Sequence, residues 1–166
     1  MEVLATTRTL GASDIRRAVE ELHADYAAAL NEERFEDWLD FFVEACVYKI
    51  IPRENWERGL PLATWHSESK GYLRDRVVGI RKTSVYGPRV IRRLVTGTRI
   101  VGLHDGAIEA RADYAAFETL PDQLTRVFNV GEYRDRIVVA DGRLKFQERL
   151  CIFDSVLVPN SLVYPL

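Results

Sequence analysis

Apolar and polar residues follow two different periods along this chain, and the change from one to the other falls near Pro88. Before that point apolar positions recur at helical spacing. Ile15, Val19, Leu22, Tyr26, Ala29 and Leu30 form one stripe, so residues 14–30 read as an amphipathic helix with Ser13 as N-cap and Asp14 placed for the helix dipole. Phe35, Trp38, Leu39 and Phe42 fall at i, i+3, i+4 and i+7 and predict a short aromatic helix. Val47, Tyr48, Lys49, Ile50 and Ile51 then form a β-branched and aromatic strand closed by Pro52. Residues 53–62 carry Gly59 and Pro61 without a clear period and read as a surface excursion. A third helix is predicted over residues 70–82, capped by Ser69, with Leu73, Val77 and Ile80 on one side and Arg74, Asp75, Arg76, Arg81 and Lys82 on the other.

Beyond Pro88 the period becomes two. Strands are predicted over residues 90–103, 107–120, 124–139 and 143–153, separated by HDG, PDQ and ADG, which are hairpin turn signals. Long neighbouring strands joined by hairpins form a curved antiparallel sheet, and such a sheet needs a helical layer on one face. The predicted architecture is α+β: one domain over residues 1–166, with three N-terminal helices packed in the concavity of a cone-shaped, strongly bent antiparallel sheet.

Composition narrows the function classes. Apolar residues at 47% and charged residues at 29% are globular values, and a net charge of −2 supplies no field to gather nucleic acid or an anionic membrane surface. The opening MEVLATTRTLGAS lacks the basic flank and long apolar core of a signal peptide, and no apolar run approaches the roughly 20 residues of a membrane span. Cys46 and Cys151 lie in apolar strand-like runs and read as buried, inert thiols. A soluble protein of the reducing cytoplasm is the expectation.

Strand alternation places Glu109, Arg111 and Asp113 on one side, as it does Glu132 with Arg134 and Lys145 with Gln147 and Arg149. This charged face is either a solvated surface with weak cross-strand ion pairs or a polar subunit interface. Adjacent Arg92 and Arg93 point to opposite faces, so one of them must enter an apolar layer or meet a partner. Candidate interface residues are therefore Arg74, Asp75, Arg76, Arg92, Arg93, Glu132, Arg134 and Arg149.

Motifs for chemistry are sparse. His23, His66 and His104 lie in different elements with no metal-ligand spacing, and neither cysteine has a neighbouring histidine, as a Rieske centre requires. There is no Gly-rich phosphate loop and no GxSxG elbow. A bent sheet with its helices does enclose a default ligand pocket, for which Asp25, Tyr26, Tyr48 and either His66 or His104 are the polar candidates. An Asp facing a His there would make a small dehydratase or isomerase; the other reading of Tyr26 and Tyr48 is core aromatics with satisfied hydroxyls.

The runs DYAAALNEERFEDWLDFFVEACVYKIIPREN, GYLRDRVVGIRKTSVY, RRLVTGTRI and GEYRDRIVVADGRLKFQERLCIFDSVLVPNSLVYPL together resemble the small, or beta, subunit of aromatic-ring-hydroxylating dioxygenases. The run ENWERGLPLATWHSESKGYLRDRV is most similar to the small subunits of salicylate 5-hydroxylase and terephthalate dioxygenase. The resemblance implies a cone like that of nuclear transport factor 2 and the cystatins. It also implies a large alpha subunit carrying a Rieske [2Fe–2S] cluster and a mononuclear Fe(II). Three alpha and three beta subunits would form the oxygenase, fed with electrons from NAD(P)H through a reductase and sometimes a ferredoxin. No cofactor is expected on this chain, and no catalytic residue carries over to it. Its expected role is structural, in an oxygenase acting on an aromatic carboxylate.

Overall fold

The computed structural model describes residues 11–84, 86–155 and 162–166. Helix α1 covers Ala12–Asn31, a short helix α2 covers Phe35–Trp38, and a 3-10 turn follows at Leu39–Phe41. Strand β1 (Phe42–Pro52), helix α3 (Arg53–Glu57), strand β2 (Trp65–Ser67) and helix α4 (Lys70–Lys82) come next. Strands β3 (Val90–His104), β4 (Ala107–Thr119), β5 (Arg126–Ala140) and β6 (Arg143–Phe153) complete the regular structure among the described residues.

Among the described residues the six strands form one curved sheet in the order β2-β1-β6-β5-β4-β3, so the α+β layout expected from the pattern is the one observed. One pairing departs from expectation. β1 runs parallel to β6, while every other pair is antiparallel. Parallel neighbours cannot be joined by a hairpin, and here the long path through β2, α4 and the β3–β5 meander makes the crossover. The β3–β4 and β5–β6 turns are two-residue hairpins with Asp105 and Gly106 at φ 51° and 76°, and Asp141 and Gly142 at 52° and 72°. Positive φ at both central positions matches the strand twist, which is why HDG and ADG were legible as turns.

Helix α1 buries the stripe Ile15, Val19, Leu22, Tyr26, Ala29 and Leu30, while Arg16–Glu20 and Arg17–Glu21 pair on its outer side at 2.9 and 3.1 Å. It begins earlier than its pattern suggested. Gly11 occupies the N-cap position and donates its N–H to the Asp14 carboxylate at 3.2 Å, which puts Ser13 inside the first turn rather than at the cap. At the other end the Asn31 amide pairs with the backbone of Arg93 on edge strand β3, accepting its N–H at 2.7 Å and donating to its carbonyl at 3.1 Å. Covering an exposed edge in this way blocks pairing with another chain there. Ser69 caps α4 as expected, accepting the Tyr72 N–H at 3.3 Å.

Two local readings are corrected, and one short strand is added to them. Phe42 is extended and opens β1, because the helix after Trp38 tightens into the 3-10 turn. The 53–62 stretch contains helix α3, and residues 65–67 return as strand β2 against β1, with Tyr48 opposite Ser67 and Ile50 opposite Trp65. Among the described residues no helix is long and apolar enough to cross a membrane.

The main core lies on the concave face, between α1, α2, α4 and the sheet. Tyr26, Trp38, Phe42, Tyr48, Tyr133 and Phe146 form a ring of fully or almost fully buried aromatic side chains, with centroid spacings from 5.2 to 6.4 Å. Each such side chain contributes about 1.5–3 kcal/mol of burial energy. A smaller cluster of Ile51, Leu150 and Ile152 lies apart from it, covered by Trp56 and Ala63.

Candidate functional site

The aromatic ring encloses part of the chain itself. Leu166 is fully buried in the same core. Its main-chain oxygen accepts hydrogen bonds from the Tyr26 hydroxyl at 2.6 Å and the Tyr48 hydroxyl at 3.1 Å, and its N–H donates to the Tyr48 oxygen at 2.9 Å. Arg93 donates through Nε and a terminal nitrogen to the Pro165 carbonyl, the first at 3.0 Å. Tyr164 packs on Phe35 and Tyr86 at 5.0 and 5.3 Å. Residues 162–166 therefore close the cone that the sequence pattern left as a pocket. Burial pushes the Tyr26, Tyr48 and Tyr133 hydroxyls well above the ordinary tyrosine value, so the first two stay protonated as donors.

Beside this plug lies a buried polar group. His23 Nε2 sits 2.8 Å from Asp135 Oδ2, and its Nδ1 sits 3.1 Å from the Thr98 hydroxyl. Asp135 Oδ1 faces Arg149 Nε at 3.7 Å. The Arg149 guanidinium is packed against Tyr133, Tyr26 and Phe146, 3.8, 4.0 and 4.3 Å from the ring centroids. Burial alone would push Arg149 down. The Asp135 carboxylate and its polar neighbours outweigh that and hold it above its ordinary value.

Several site expectations are corrected by these positions. Arg149 and Arg93 are buried within the subunit, so neither is an interface residue. Arg149 points inward because β6 bulges: Arg136 pairs with Glu148 and Ile137 with Phe146, leaving Gln147 extra and reversing the alternation after it. Arg93 is the member of the Arg92–Arg93 pair that enters the apolar layer, while Arg92 stays exposed. Arg74, Asp75 and Arg76 are exposed on α4, and Glu132 and Arg134 lie half-buried on the outer sheet face, 2.6 Å apart.

The residues of the alternative pocket are not brought together. Tyr48 is in the cone, bonded to Leu166. Asp25 is exposed, in a cleft of about 580 Å³ with Glu21, Arg34, Asp37 and Lys145. His66 is exposed beside Glu68 at 3.6 Å, and His104 is exposed at the β3–β4 turn. The His–Asp pair that does form, His23 with Asp135, was missed although both signals were present. His23 follows Val19 by four residues on the buried stripe, and Asp135 shares inward parity with Tyr133 and Ile137.

The outer face also holds an apolar end that charge counting overlooked. Leu94, Ala115 and Val130 align across β3, β4 and β5, and Arg92, Phe117 and Val127 form the next row. Leu94 is 56% exposed and Val127 61%, with Val90 and Leu124 nearby in sequence and also open to solvent.

Residues 12–150 match the family of SnoaL-like domains. The anthranilate 1,2-dioxygenase small subunit of Burkholderia cepacia is 32% identical over 85% of this chain and 88% of its own length. This chain belongs to the small subunits of aromatic-ring-hydroxylating dioxygenases. A terephthalate 1,2-dioxygenase beta subunit of Comamonas is 26% identical over 87% of this small subunit and 94% of its own length. A solved structure assigned as such a beta subunit, from Novosphingobium aromaticivorans, superposes with a TM-score of 0.84 at 35% identity, covering 92% of this chain and 97% of that one. Dioxygenase small subunits act as part of an oxidoreductase complex with a large subunit.

The donor set of this small subunit does not fit a Rieske cluster or a mononuclear iron. Among the described residues no three His, Cys, Asp or Glu side chains gather. His23 and Asp135 are already committed to each other, and the Arg149 cation beside them opposes a metal ion. The thiols are poor ligands where they stand, because burial raises Cys46 from 9.0 to about 11 and Cys151 to about 12.

Proposed function

We propose that this chain is the structural, non-catalytic beta subunit of a Rieske non-haem iron oxygenase acting on an aromatic carboxylate. The observation that carries the reading is the whole-length likeness to the anthranilate and terephthalate dioxygenase small subunits. Its plugged cone supports a scaffold role, since Tyr26, Tyr48 and Arg93 spend their hydrogen bonds on the chain's own backbone. As one domain in the cytoplasm, it would join two further copies and three large subunits. The Rieske cluster and mononuclear iron would sit on the large subunit, with NAD(P)H electrons arriving through a reductase or ferredoxin.

Arg74, Asp75, Arg76, Arg92, Glu132 and Arg134 remain the charged interface candidates, joined by the apolar rows around Leu94 and Val127. An apolar centre rimmed by charge is the usual make-up of an interface. Co-expression with a large subunit of an aromatic-carboxylate oxygenase from the same host, followed by mass measurement in solution, tests the reading. Copurification at equal stoichiometry and threefold mass is expected. A chain that remains a separate monomer, or that turns over substrate alone, overturns it.

A further inference from the structure

The outer face of the sheet carries two apolar clusters, and the described residues cover one of them. Ile51, Leu150 and Ile152 lie under Trp56 of α3. The other cluster, on β3, β4 and β5, stays open: Leu94, Val127 and Val130 are 56%, 61% and 39% exposed. Contiguous apolar side chains left bare on a soluble chain mark a contact surface. Charge along the same face decides what fits it. Arg92, Phe117 and Val127 form one row across the three strands, and Leu94, Ala115 and Val130 the next. Thr96, Asp113 and Glu132 follow, so the apolar row has a cation on one side and two carboxylates on the other. Beyond the carboxylates comes a row of Arg99, Arg111 and Arg134. Glu132 is held by Arg134 at 2.6 Å, whereas exposed Asp113 meets only Arg99, at 3.9 Å, among the described residues. Arg92 has no hydrogen-bond or ion-pair partner among those residues.

Such a face is complementary to a copy of itself. A pair that stacks two sheets through one and the same surface has its two-fold axis in the plane between them. With the axis along the Leu94–Ala115–Val130 row, that row meets itself, and Arg92 of each copy comes over the row that holds Asp113 in the other. The same rotation lays the arginine row on the neutral row of Val90 and Thr119. With the axis along the strands instead, the arginine row would lie on its own copy and Asp113 on Asp113, a like-charge contact that disfavours the pair. The charge pattern therefore selects both the partner and the orientation, with the strands of the two copies running in opposite directions.

We propose that the chain on its own forms a two-fold dimer through the outer face of β3, β4 and β5, with Leu94, Ala115 and Val130 at its centre and Arg92 paired with Asp113 of the second copy at both ends. Three strands about 4.8 Å apart and five rows about 6.7 Å apart give a contact of roughly 14 by 27 Å. That is well below the roughly 800 Å² per partner of a stable complex, so the pair is reversible, with Kd about 10–100 µM. In the oxygenase proposed above a large subunit would take the place of the second copy. The dimer is measured on the chain alone, so failure of either reading leaves the other standing.

Sedimentation of the full chain from about 5 to about 500 µM tests this, and a monomer–dimer equilibrium is expected across that range. Leu94→Asp, at an exposed position, is expected to melt like the native chain and to stay monomeric throughout. Arg92→Asp and Asp113→Arg each set like charges against one another at both ends of the pair, and each weakens association about tenfold or more. Mixed in equal amounts, those two variants are expected to associate within about threefold of the native chain, because an unlike pair then forms at both ends. Ala115→Cys lies on the axis about 10 Å from its copy, the spacing of stacked sheets, so a bis-maleimide of that length joins the two chains. Cys46 and Cys151 are buried and give no such link in the native chain. A native chain that remains monomeric over the whole range overturns the proposal, as does a trimer or an association that Leu94→Asp leaves intact. A mixture no tighter than its two components, or no cross-link at Ala115→Cys where the native chain is dimeric, overturns it equally.

Discussion

Replacing Asp135 by Asn removes one negative charge from the buried group while keeping the shape of the side chain. In the native subunit that carboxylate bonds to His23 at 2.8 Å and faces Arg149 Nε at 3.7 Å. Asn retains an oxygen for the histidine, so the cost comes from the Arg149 cation left without its counter-charge. Breaking a buried ion pair from one side costs about 3–5 kcal/mol. The three aromatic rings at 3.8–4.3 Å from the guanidinium persist in the variant and keep part of the cation's stabilisation. The expected loss is therefore at the lower end, about 3 kcal/mol. For a chain of this length that lowers Tm by about 6–12 °C. Thermal and urea unfolding of the isolated subunit measure it, and the double variant Asp135→Asn with Arg149→Met should recover at least about 1 kcal/mol, because the stranded charge is gone. An Asp135→Asn variant within about 1 kcal/mol of native would show that the rings alone hold the cation. Strict additivity in the double variant would refute the coupling altogether.

Gly131→Ala should be among the most damaging small changes, because its Cβ would stand 2.0 Å from the Ile152 carbonyl oxygen and 2.8 Å from Phe153 Cα. Both are backbone atoms, so β5 and β6 must separate locally at a cost of about 3 kcal/mol or more, readable as a lower urea midpoint or lost soluble expression. Stability should fall as pH rises above about 9. Burial raises Cys46 to about 11 and Cys151 to about 12, so between those values and 9.0 the unfolded chain loses thiol protons that the folded one keeps. The full contribution is present below 9.0, and the raised Tyr26, Tyr48 and Tyr133 extend the loss above pH 10. Urea midpoints flat from pH 8.5 to 11 would contradict this. Leu94→Asp with Val130→Asp should change the isolated subunit's stability by less than about 0.5 kcal/mol per site, since both residues are exposed, yet abolish copurification with the large subunit. Unchanged copurification would place the interface elsewhere.

The parts of the fold fixed by local pattern were legible: α1 and α4 from their stripes, β3 to β6 from alternation, and the two Asp-Gly hairpins from their need for positive φ. These features depend on neighbours within a few residues, so one sequence suffices to read them. The parallel β1–β6 pair was not legible, because its hydrogen bonds join segments about a hundred residues apart and parallel and antiparallel strands share the same period. The inward turn of Arg149 was hidden for a related reason, since one extra residue at Gln147 reverses every side chain after it.

The sequence by itself determined that this is an α+β scaffold with few chemical motifs, and its whole-length resemblance pointed to an oxygenase small subunit. Only the tertiary structure decided what fills the cone. Nothing in the spacing of Tyr26, Tyr48 and Arg93 predicts that all three would converge on Pro165 and Leu166, because that meeting requires three distant segments to be packed at once. Local periodicity reports which face of an element is buried. It carries no information on which distant group that face will meet, and hydrogen bonds across a core are decided by that meeting alone.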